Sequence, residues 1–75
     1  MQTSAPAYNV FRRKRQPALR CAVPLDQPVP SFVSGETWDF GGTVTGEQPP
    51  PGFKPEAADE AVRHTGYYLF HAVQA

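Results

Sequence analysis

The chain has little means of cross-linking itself: Cys21 is the one cysteine in 75 residues. That excludes an internal disulfide framework and favours a reducing compartment. It also lacks any apolar run near the ~18 residues of a membrane span, so no membrane partner is expected. A secretory signal needs an apolar stretch behind its basic region, but here Arg12, Arg13, Lys14 and Arg15 run straight into Gln16 and Pro17. Acids are missing from the first twenty-five positions, which carry five arginines and lysines. A transit peptide shares that composition. This segment, however, shows prolines and short alternating runs in place of an amphipathic helical period, and its removal would leave about fifty residues, close to the lower limit for independent folding. A cytoplasmic location is therefore expected.

Motifs for chemistry are equally scarce. The glycines offer neither G-x-G-x-x-G nor a P-loop spacing. Cys21, His64 and His71 are the soft metal ligands, dispersed with no C-x-x-C or H-x-x-x-H spacing. Cys21 alternates with Leu19 and Val23, as a small buried hydrophobe would. Glu36 and Asp39 fall on opposite faces of a strand, and the neighbouring pair Asp59 and Glu60 sits on the solvated side of a helix. Neither pair has the apolar surroundings that raise a carboxylate pKa for acid catalysis. No nucleophile, base or metal set converges, so the expectation is a non-enzymatic protein without cofactor or metal.

What the chain does contain is aromatic bulk and stiffness. One Trp, three Tyr and five Phe can each bury roughly 150–250 Å², and nine prolines restrict the unfolded chain. The length predicts one domain over residues 7–75, behind a frayed small-residue segment at 1–6. Folding buries only roughly 60% of the exposable surface at this size.

Alternation of Tyr8 with Val10, and of Leu19, Cys21 and Val23, predicts two strands over residues 7–11 and 18–23, with the basic cluster at or near a hairpin tip. Residues 24–30 contain three prolines and read as an extended connection that Phe32 and Val33 pin to the core. Residues 36–44 form the third strand candidate: Trp38 and Phe40 share a face, and Gly41-Gly42 suggests a bulge. Pro49-Pro50-Pro51 stiffens the loop ahead of a helix.

The helix carries concordant local signals. Pro55 suits its first position, and Phe53 can staple to Ala58. Ala58, Ala61, Val62 and Thr65 share a face. Asp59 and Arg63 stand at i,i+4, and Gly66 supplies the stop. Residues 67–73 are apolar on both faces, which predicts a central last strand or one with a partner on its second face. The fold expected is α+β: a small four-stranded, mainly antiparallel sheet in the order β-β-β-α-β, with one helix packed on one face.

Two functional readings follow. One helix covers one face of a sheet, so Tyr67 and Leu69 are expected on an uncovered face that binds a protein partner or a second copy of the chain. This interaction or accessory-domain reading comes first. The alternative is a nucleic-acid-associated protein whose hairpin tip, through Arg12, Arg13, Lys14 and Arg15, meets phosphate while Tyr8 and Phe11 stack on bases. Against it, a hairpin tip must be solvated in any case, and charge at an edge discourages aggregation. An acidic protein partner would suit the same cluster. Net charge is zero, yet all seven acids lie between Asp26 and Glu60 with Lys54 the one base among them.

Overall fold

Alternating β-branched and aromatic residues commit the first half of the chain to a hairpin. In the computed structural model, which describes residues 7–73, β1 (Ala7–Arg13) and β2 (Leu19–Pro24) pair antiparallel. β3 (Trp38–Thr45) pairs antiparallel with the other side of β1. The helix α1 (Pro55–Thr65) follows, and β4 (Tyr68–His71) returns antiparallel to β2. The four-stranded sheet has the order β3-β1-β2-β4, so the α+β architecture with a single helix on one face holds. The frayed segment expected at residues 1–6 lies outside the described residues.

Opposed residues share a face of an antiparallel sheet, so the register sorts the core into two layers. Tyr8, Val10, Ala22 and Phe70 face α1 and are buried with Phe53 and Ala58, flanked by Val44, Val62 and Tyr68. Phe53 is the hub of this layer: its ring lies edge-on to Tyr8, Tyr68 and Phe70, each at 5.2 Å between centroids. Such pairs add about 0.5–1.5 kcal/mol each beyond the area they bury.

The helix begins and ends as its sequence dictates. Lys54 occupies the N-cap and Pro55 the first position. Phe53 and Ala58, on either side of that start, are buried in one cluster as a staple requires. Gly66 closes the helix in the left-handed region at φ 90°, its N–H donating to the Val62 carbonyl. Two details differ from expectation. Arg63 pairs with Glu60 at 3.7 Å, not with Asp59, and Glu60 also meets His64 at 3.1 Å. Thr65 is exposed and turns its hydroxyl to the Ala61 and Tyr67 carbonyls, so it finishes the helix and leaves the apolar face to Ala58, Ala61 and Val62.

The second face corrects a larger expectation. It is open only in part: Cys21, Val23 and Trp38 are buried there, with Phe11, Leu19, Val33 and Tyr67 packed around them, while Leu69, as expected, and Phe40 stay exposed. The cover is the proline-containing segment between β2 and β3. Phe32 packs on both Trp38 and Tyr67, with centroids at 6.1 and 5.1 Å. A short chain thus builds two apolar layers with one helix, because an irregular segment takes the place of a second. β4 stands at the edge of the sheet rather than its centre, with Phe70 buried on the helix side and Leu69 and His71 exposed on the second.

Candidate functional site

β1 carries Arg12 and Arg13 as strand residues, while Lys14 and Arg15 begin the turn. Strand alternation sends Arg12 and Arg13 to opposite faces. Arg13 lies on the covered face, its guanidinium carbon 5.6 Å from the centre of the Trp38 ring. Lys14 donates from Nζ to the Gly35 carbonyl at 2.7 Å and lies 3.8 Å from Asp39. Its backbone N–H reaches the Thr37 carbonyl at 2.8 Å. Arg13 and Lys14 therefore fasten the turn leading into β3 over the second face. Arg12 stands in register between Arg20 and Asp39, and Arg20 donates from Nε to the Pro17 carbonyl at 2.6 Å. Only Arg12 and Arg15 of the cluster are exposed without an ion pair among the described residues.

The aromatics proposed to stack on bases are committed elsewhere. Tyr8 is buried beneath Phe53, and its phenol pKa is raised, first by burial and then by the charge of Asp59. Phe11 is half-buried and meets Phe40 edge-on at 5.8 Å. On β4, Tyr67 just precedes the strand and is half-buried under Phe32, whereas Leu69, opposite Cys21, is 46% exposed. Tyr67 and Leu69 thus border the packed second layer and do not form a bare face.

The two sheet edges are unlike each other. β4 has four residues, and the loop ahead of α1 lies beside it. The Val73 N–H donates to the Pro51 carbonyl at 3.3 Å, and Gly52 sits so close to the His71 carbonyl that any side chain there would collide with it. β3 has eight residues, and among the described residues no strand pairs with its outer side. Its local contacts are confined to the ends, where the Trp38 N–H meets the Ser34 carbonyl and Thr45 bridges to Gln48.

Along that edge the chain is sparse and apolar. Phe40 is 59% exposed. Gly41 is the extra residue of a bulge opposite Val10 and Phe11, and Gly42 adopts φ 113°. No lysine or proline guards the strand, and its one charge is Asp39. Trp38 and Phe40 share a face as the alternation predicts, but only Trp38 is buried. The signal available was the absence of lysine and proline across residues 36–45.

No group of three His, Cys, Asp or Glu close enough to hold a metal ion occurs among the described residues. Cys21 is wholly enclosed, and burial pushes its thiol pKa up to about 11. The chain matches no known protein family, no curated protein and no solved structure.

Proposed function

We propose that this chain is a small non-enzymatic protein-interaction domain that receives an extended segment of a partner along the outer edge of β3. The observation that carries the reading is the contrast between the edges. β4 is short and flanked by the Pro51–Gly52 backbone, while β3 is long, unpaired on its outer side among the described residues and bordered by the exposed Phe40 ring. In strand addition the main chain supplies the affinity and alternate side chains supply selectivity. The bulge at Gly41 interrupts the edge ladder, so regular pairing of a guest is limited to the runs on either side of it.

The test is selection of displayed extended peptides on the immobilised domain, with the Phe40→Asp variant as the counter-target. Isolated binders are then titrated into labelled protein by NMR. Amide shifts centred on Trp38–Thr45, absent in Phe40→Asp, support the reading. Binders that leave those amides unmoved, or that ignore the substitution, sink it.

One observation favours a second reading. The β1–β2 hairpin carries five bases and no acid, and Arg12 and Arg15 at its end are exposed. Contact with a nucleic-acid backbone through these residues would weaken steeply with salt. Titration with a short mixed-sequence oligonucleotide at low and high salt separates the readings, since shifts at Arg12 and Arg15 that vanish with salt belong to this one alone.

A further inference from the structure

The electrostatics of the β3 edge deepen the strand-addition reading, on which this step rests. Between Asp26 and Gly52 the chain holds no lysine or arginine. Glu36 lies in the turn entering β3, Asp39 within it, and Glu47 in the turn leaving it, and all three are exposed. Glu36 and Glu47 make no ion pair among the described residues, and Asp39 meets only Lys14, at 3.8 Å and partly in water. A strand arriving at this edge therefore passes Glu36 and Asp39 towards one end and Glu47 at the other. Five of the seven lysines and arginines sit on the β1–β2 hairpin, where Arg12 stands in register with Asp39 and Arg13 and Lys14 are already engaged with Trp38, Gly35 and Asp39.

The geometry points to a basic extended segment of a partner protein, with an apolar residue beside a Lys or Arg, as the occupant of the β3 edge. At ~3.3 Å per residue a guest matching β3 is about eight residues long. Asp39 and Phe40 are successive strand residues, so their guest neighbours also point to opposite faces. A Lys or Arg beside Asp39 then stands on the helix side, and an apolar residue beside Phe40 stands on the covered side. Lys or Arg towards the two ends would reach Glu36 and Glu47.

A second copy of this chain fits poorly by the same charges. In an antiparallel pairing of two β3 strands with Gly41 opposite the other copy's Gly42, Glu36 is brought to the other copy's Glu47 at both ends. These residues lie in the turns just outside β3, where like charges brought close repel.

The test uses the full chain and three eight-residue peptides of alternating pattern and equal apolar content, with Lys, Ser or Glu at the alternate positions. Binding is read by fluorescence anisotropy and by NMR shifts of the β3 amides, in low salt and in 0.5 M salt. The Lys peptide is expected to bind about tenfold more tightly than the Ser peptide in low salt. That advantage should collapse in high salt and in the Glu36→Gln/Glu47→Gln variant, whose exposed substitutions leave the fold intact by circular dichroism. Equal binding of the Lys and Ser peptides, or an advantage indifferent to salt and to the double variant, overturns the basic-partner inference but leaves strand addition standing. If no peptide moves the β3 amides, strand addition itself fails and the inference with it. A dimer in sedimentation that Phe40→Asp abolishes makes a second copy the occupant and also overturns it.

Discussion

A Cβ placed on Gly52 would overlap the His71 carbonyl oxygen, so the loop that delivers α1 is seated on β4 backbone to backbone. Gly52 also adopts φ 91°, where an L side chain is strained even in open space. Gly52→Ala is expected to lower stability by about 2–4 kcal/mol. Gly35 is the control: a Cβ there meets nothing within 4 Å, and Gly35→Ala should stay within about 0.5 kcal/mol of the parent. Urea denaturation of the two variants decides the matter. Equal midpoints would mean that the loop does not lie against β4.

Trp38 closes the second apolar layer at 4% exposure, although an irregular segment rather than a helix lies over it. Trp38→Ala should cost about 3–5 kcal/mol, most of the stability of a domain this small. Arg13→Ala, which removes the partly solvated guanidinium above the ring, should cost at most about 1 kcal/mol. Circular dichroism and urea midpoints test the pair. A Trp38→Ala protein as stable as Arg13→Ala would show that the segment between β2 and β3 is only loosely attached.

What could be read in advance followed the range of the interactions. The helix limits depend on Phe53, Pro55, Ala58 and Gly66, all within fourteen residues, and the sequence states them directly. The β1–β2 hairpin and the bulge at Gly41-Gly42 are similarly local. The cover over the second face is different in kind, because Phe32 meets Tyr67 across a long stretch of chain. Phe32 and Val33 were legible as the residues that pin this segment to the core, but no periodicity in it announces which face it covers. The apolar composition of residues 67–73 was legible, but it does not mark a central strand: β4 is an edge strand that buries Phe70 and leaves Leu69 exposed. The basic cluster lies at the hairpin end as its position suggests, but its division between faces is not visible in composition. Four adjacent symbols suggest one patch, whereas strand alternation and the Trp38 and Gly35 contacts distribute them.

The register of β4 makes neighbouring residues unequal. Leu69 is 46% exposed and Phe70 6%. Leu69→Lys should change stability by no more than about 1 kcal/mol, whereas Phe70→Ala removes a ring stacked on Tyr68 and edge-on to Phe53 and should cost about 3–5 kcal/mol. Reversed sensitivities in denaturant melts would place β4 one residue out of register with β2.

Cys21 gives the domain an alkaline limit. Its thiol is held neutral in the folded state up to about pH 11 by burial, against an ordinary value of 9.0. The unfolded chain sheds this proton first, so the folded state binds more protons across that interval and stability must fall as pH rises through it. Below about pH 9 the contribution is fully present and flat. Its loss by pH 11 amounts to roughly 2–3 kcal/mol at most. The buried phenol of Tyr8, also raised, acts in the same direction. Cys21→Ala should therefore flatten part of the decline in urea midpoint between pH 9 and 11, even though the smaller side chain lowers stability at neutral pH. A second readout needs no substitution. Ellman's reagent at pH 8 should label the native protein only as fast as it opens, and at full speed in denaturant. Immediate labelling of the folded protein would place Cys21 outside the layer beneath Trp38.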